Sequence, residues 1–133
     1  MTYYFDMDGV IANFHKEPYS FVKAISREWI ANLEPFTYNV NVVRRLIAEG
    51  NKVYILSKAA KETAKQGKLD WLRKYIPELP HENIIIIVSN GKKIDYIKEP
   101  GMLVDDDPKN TKPWDKAGLP TYLLENKGDA VRL

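Results

Sequence analysis

An α/β domain with a mainly parallel sheet is the fold the sequence predicts, and three observations point to it. Short β-rich runs alternate with helical patterns along the chain, the order that produces parallel strands joined by crossover helices. The run Ile84-Ile85-Ile86-Ile87-Val88 is apolar throughout, as expected of a strand covered on both faces. Polar clusters (Asp6 and Asp8, Ser57, Asp105 and Asp106) each follow directly after a strand pattern. In an open parallel sheet those strand ends share one edge, where ligands bind.

The first strand is Thr2 to Phe5, brief and aromatic, stopped by Asp6-Met7-Asp8-Gly9. A helix is expected from Pro18 to Leu33, with Phe21, Val22, Ile25, Trp29, Ile30 and Leu33 on its apolar stripe and Pro35 forcing an exit. This helix is extra to a simple alternating pattern and is a candidate lid. Val42, Val43, Leu46 and Ile47 repeat at helical spacing and end at Gly50, a C-terminal cap. The second strand is Val53 to Leu56, ended by Ser57. Ala64, Leu69, Trp71, Leu72 and Tyr75 form a further helix that stops before Pro77. After the isoleucine run come a fourth strand, Met102 to Val104, stopped by three aspartates, and a fifth, Thr121 to Leu124.

The 133 residues suit one domain, 1–133, with a core large enough to fold without disulfides or structural metal. There are no cysteines, which excludes thiolate metal sites and cysteine nucleophiles. Neither a signal-peptide pattern nor an apolar run of membrane-spanning length is visible, so a cytoplasmic protein with no membrane partner is expected. A net charge of +2 is too small for a general nucleic-acid binder, and no stable nucleic-acid partner is expected. Locally, Lys58, Lys61, Lys65, Lys68, Arg73 and Lys74 face only Glu62 and Asp70. Such a run is either a solvated helix face or a surface for an anionic ligand.

Asp-x-Asp-Gly after a strand is a weak signal alone. Two carboxylates that close repel unless a cation or proton lies between them. With Asp105 and Asp106 they make an oxygen-rich site suited to a hard ion such as Mg²⁺. His15 and His81 are the only histidines and lack metal-site spacing, so zinc and copper are not expected.

The stretch Phe5-Asp6-Met7-Asp8-Gly9-Val10-Ile11-Ala12-Asn13-Phe14 resembles the first motif of the haloacid-dehalogenase-like hydrolases. More narrowly, it is similar to that of the 5′(3′)-deoxyribonucleotidases, the cytosolic type C pyrimidine 5′-nucleotidase family. Further motifs fall in the family's order: Ile55-Leu56-Ser57, Lys92-Lys93, and Leu103-Val104-Asp105-Asp106-Asp107-Pro108. The resemblance implies a three-layer Rossmann-like fold with a small helical cap, about residues 13–36, inserted after the first strand. It implies Mg²⁺ as cofactor and Asp6 as the nucleophile that forms an aspartyl-phosphate. Asp8 is implied as general acid and then base, with Mg²⁺ held by the Asp6 carboxylate, the Asp8 backbone carbonyl and Asp106. Asp105 stands as the alternative ligand, in the position of a glycine in the commoner form of the motif. Ser57 and Lys93 are implied phosphoryl-binding groups, with Lys92 the alternative lysine. Lys68 matches a second phosphate-facing lysine, or else is a surface lysine on an exposed face. Asn110 falls where relatives carry a further metal-organising acid, while Asp107 reads as a solvated turn residue.

Only positions 9–56 separate Asp8 from Ser57, so the cap is smaller than in the deoxyribonucleotidases. Tyr19, Trp29, Phe36 and Tyr38 either stack a nucleobase or pack the cap onto the core. The implied substrate is a small phosphorylated molecule, a (deoxy)nucleoside monophosphate. The alternatives are another small phosphate ester, a nucleic-acid end, or a binding module that keeps the fold without the activity. The second acid, Asp8, weighs against dehalogenase or phosphonatase chemistry.

Overall fold

Strand β1 (Thr2–Phe5) lies at the centre of a five-stranded sheet, with β2 (Lys52–Lys58) on one side and β4 (Met102–Asp105) on the other. The order is β3-β2-β1-β4-β5, with β3 at Ile84–Ile87 and β5 at Thr121–Leu123, and every pairing is parallel. This is a computed structural model, and it describes residues 1–14 and 20–133. Among the described residues no helix is long and apolar enough to cross a membrane.

The side-chain alternation of the central strands sends residues to two separate cores. Tyr3, Phe5, Val53, Ile55 and Val104 join a cluster with residues of the helices α2 (Arg27–Ala31), α3 (Thr37–Ala48) and α4 (Glu62–Tyr75). Tyr4, Tyr54, Leu56 and Leu103 face the other way and pack with Trp114 of α5 (Pro108–Lys116). Helices on both faces of a parallel sheet make the three-layer Rossmann-like architecture the sequence predicts.

The expected helix from Pro18 to Leu33 differs from the structure. Its first two positions, Pro18 and Tyr19, lie outside the described residues, as does His15; the rest contains two short helices, α1 (Phe21–Ile25) and α2. The break is Ser26, whose extended backbone cannot continue α1 and whose side chain accepts the Trp29 N–H to cap α2. The two ends of this insertion meet at one place. Asn13 N–H donates to Glu34 O at 2.8 Å, and Phe36 N–H donates to Ile11 O at 2.7 Å. Between them, α2 lies against α4. Gly67 makes that approach possible, because a β-carbon there would sit 2.6 Å from the Arg27 carbonyl oxygen. Arg27 grips Asp70 through two hydrogen bonds of 2.7 and 3.1 Å, and Trp71 Nε1 donates to Leu33 O at 3.0 Å.

The isoleucine strand also departs from expectation. β3 is an edge strand, and only Ile87 is buried, while Ile84, Ile85 and Ile86 are half-buried. A run of one apolar type has no period, and so carries no information on whether a neighbour lies on each side.

Candidate functional site

Parallel pairing aligns the C-terminal ends of β1, β2 and β4, and the three acidic and polar clusters meet there. Asp6, Asp8, Ser57, Lys93, Asp106 and Asn110 line one cavity of about 380 Å³, together with Lys58, Asp107 and Lys127. The turn after β1 is wound tightly: the N–H groups of Ile11 and Ala12 both donate to Met7 O, at 3.0 and 2.9 Å. Gly9 sits in it with φ +84°, and a β-carbon at that position would strike the Asp106 carboxylate. Glycine is therefore required twice, for the backbone angle and for the space.

Asp6 is nearly buried, 7% exposed. Its Oδ1 accepts from Met7 N–H at 2.9 Å and from Lys93 Nζ at 2.8 Å. Lys93 is equally buried and also donates to Asp105 Oδ2 at 2.9 Å. Burial works to depress the lysine's pKa, but the adjacent Asp6 and Asp105 charges outweigh it and hold the ammonium firmly protonated. This separates the two motif lysines: Lys92 is exposed and does not line the cavity, whereas the short 3-10 turn starting at Lys93 points its first side chain inward.

The paired aspartates after β4 also part company. Asp105 is fully buried and committed to Lys93 and to the Asp107 N–H at 3.0 Å. Asp106 is half-buried and lines the cavity. Burial first, and the Asp6 charge second, push Asp105 up to about 7 and Asp106 up to about 6. Carboxyl oxygens of Asp6, Asp105 and Asp106 lie within 4.8 Å of one another. Negative charge is thus concentrated beyond what Lys93 offsets, and every donor is oxygen. That set fits a hard divalent cation.

Lys68 is not a surface lysine. It is 2% exposed, and its Nζ donates to Asp8 Oδ2 at 2.8 Å, Ser57 Oγ at 2.7 Å and Lys58 O at 2.6 Å. Within the basic run it is the fully buried member; Lys58, Lys61, Arg73 and Lys74 are exposed. Asp8 Oδ2 is engaged in this way, while its Oδ1 is buried with no hydrogen-bond partner.

Asp107 does more than sit in a solvated turn: its side chain accepts the Lys109 N–H at 2.9 Å and caps α5. The described members of the stacking candidates, Trp29, Phe36 and Tyr38, do not line the cavity. Trp29 packs edge-on against Phe14, Phe36 covers the space beside Gly128, and Tyr38 is exposed. Lys127 was missed by motif reasoning. Its one signal is position, since it follows β5 at the same sheet edge.

Comparison with known proteins adds to this geometry. The family model described as "5′ nucleotidase, deoxy (Pyrimidine), cytosolic type C protein" matches residues 15–125. The chain belongs to this family. The residues that carry the resemblance to this family are gathered at one sheet edge. A chain from the structure of a Pnkp1/Rnl/Hen1 complex superposes with a TM-score of 0.64 at 18% sequence identity. That match covers 92% of this nucleotidase-family chain and 45% of the other, a likeness of fold. Among curated proteins, none matches the sequence.

Proposed function

We propose that the protein is a Mg²⁺-dependent phosphomonoesterase that works through an aspartyl-phosphate on Asp6, with a (deoxy)nucleoside monophosphate as the substrate class. One observation carries the reading: Asp6, Asp8, Ser57, Lys93 and Asp106, remote in sequence, line a single cavity. Asp6, the Asp8 backbone carbonyl and Asp106 would hold Mg²⁺, with Asn110 beside them and Asp105 anchoring Lys93 from beneath. The ion, when bound, offsets negative charge on the phosphoryl oxygens.

The side chains then divide the work. Lys93 and the Met7 N–H fix the Asp6 carboxylate, which attacks phosphorus as the ester P–O bond breaks. Asp8 gives its proton to the departing oxygen. In the second step Asp8 takes a proton from water as that water attacks phosphorus, releasing inorganic phosphate and free Asp6. Lys68 holds Asp8 by Oδ2. Lys68 also donates to Ser57 Oγ, so the serine hydroxyl keeps its own hydrogen for a phosphoryl oxygen.

Residues 13–36 act as a small cap on a domain spanning 1–133. Its pinned ends and its packing on α4 support that role. The family description supports a cytosolic site of action.

Phosphate release from a panel of nucleoside monophosphates, sugar phosphates and 5′-phosphorylated oligonucleotides, with Mg²⁺ or with chelator, tests the reading. Hydrolysis is expected only with the metal, and Asp6→Asn should abolish it, a loss of at least about 10³-fold for a covalent nucleophile. Turnover by Asp6→Asn at the native rate would remove Asp6 from that role.

A further inference from the structure

Two cations at the cavity have no place in the scheme above. Lys58 and Lys127 both line it, both are exposed, and among the described residues neither forms an ion pair with a carboxylate. Each is held at its backbone. The Lys58 carbonyl accepts from the buried Lys68 ammonium at 2.6 Å, which fixes the end of β2. Lys127 lies in a turn closed by Asn126 N–H to Asp129 Oδ2 at 2.9 Å and by Asp129 N–H to Asn126 O at 3.2 Å. That turn is docked on the catalytic loop, where Gly128 N–H donates to Gly9 O at 2.8 Å. Asn39, fully buried, holds the far side of the turn through Asp129 O at 2.9 Å.

Lys127 shares the lining of the cavity with Asp6 and Asp106. Its ammonium stays accessible. No aromatic side chain among the described residues lines the cavity. Beyond the groups assigned to the reacting phosphoryl, the described lining offers a ligand the positive charge of Lys58 and Lys127.

We propose that Lys58 and Lys127 form a second anion subsite, which binds another phosphate on the same substrate. The inference rests on the phosphatase reading and narrows its substrate class to phosphomonoesters that carry a neighbouring phosphate. A nucleoside 3′,5′-bisphosphate has that chemistry, and so does a terminal phosphate followed by a phosphodiester. A cavity of about 380 Å³ is at the lower end of small-molecule sites and larger than one phosphoryl group requires.

Binding to the Asp6→Asn protein with Mg²⁺, measured by calorimetry, tests this without turnover. The ligands are a deoxynucleoside 5′-monophosphate, its 3′,5′-bisphosphate and a 5′-phosphorylated dinucleotide. The bisphosphate, the dinucleotide or both are expected to bind at least about tenfold tighter than the monophosphate, the worth of one charge-assisted contact. Which of the two gains identifies the source of the second phosphate. Lys58→Met and Lys127→Met should each shrink that ratio and together remove it, while Lys116→Met, at the far end of α5, should leave it intact. Equal affinities in the parent, a ratio that survives the double substitution, or no binding of any of the three would overturn the subsite. If instead the ratio behaves as expected but the native protein releases no phosphate, the hydrolytic reading fails and the subsite stands.

Discussion

Lys93 joins two carboxylates that would otherwise face each other in the interior. Removing one member of a buried charge network leaves the others uncompensated, which costs about 3–5 kcal/mol. Lys93→Ala should lower stability by that order and abolish turnover, because Asp6 and Asp105 lose their common donor. A divalent ion can replace part of the missing positive charge. Thermal denaturation with and without Mg²⁺ should therefore show a larger stabilising shift in the variant than in the native chain; equal shifts would mean the ion binds elsewhere. The residues of this centre were legible because the acidic and serine positions stand at or just past the C-terminal end of a strand, and all of them belong to a recognisable motif. The choice between Lys92 and Lys93, or Asp105 and Asp106, was not. Neighbouring residues point to different sides, and only the path of the backbone decides which one reaches inward. Lys68 was legible as an alternative only, since a lysine in a basic run looks the same whether its face is wet or buried.

At the level of elements, the site depends on how closely α2 lies on α4. Lys68 is next to Gly67, where the two helices touch. Gly67→Ala would place a β-carbon 2.6 Å from the Arg27 carbonyl oxygen and 2.9 Å from Ile30 Cβ, so the helices must separate. Overpacking of this kind costs about 1–3 kcal/mol, more than the roughly 1 kcal/mol that alanine gains over glycine in a helix. Urea unfolding should show a lower midpoint, and KM should rise if residues 13–36 cover the substrate. A higher midpoint would show that the helices adjust freely and that Gly67 has no packing role. The sequence signalled the helices themselves through their apolar spacing. It did not signal the break at Ser26, because a serine capping the next helix looks like any polar residue on an amphipathic stripe. The edge position of β3 was hidden for a related reason: four isoleucines read the same with one neighbouring strand or two.

Over the whole molecule, the two ends of the sheet have different tasks. The C-terminal edge concentrates unbalanced acid around the cavity, whereas the N-terminal edge is tied by a satisfied carboxylate. Glu99 accepts from Thr2 Oγ1 at 2.8 Å and Tyr54 OH at 2.9 Å, and pairs with Lys52 at 2.9 Å. Its backbone carbonyl takes the Tyr4 hydroxyl at 2.7 Å, so one residue secures β1, β2 and the approach to β4. The Lys52 contact, then Thr2 and Tyr54, lower its pKa from 4.5 to about 2. Because the folded state holds this proton less tightly than the unfolded one, protonation favours unfolding. The stabilisation is complete above the ordinary carboxylate value and is lost as the pH falls toward about 2. Glu99→Gln keeps the shape but not the charge. The native chain should therefore exceed the variant in urea midpoint at pH 7, with the gap closing as the pH is taken from 5 to 3. Mg²⁺-dependent turnover at neutral pH should be the same in both, since this knot and the cavity lie at opposite ends of the strands. A gap that persists unchanged at pH 3 would mean that Glu99 acts through its hydrogen-bonding shape alone, and a loss of turnover would mean that strain at one end of β1 reaches Asp6 at the other.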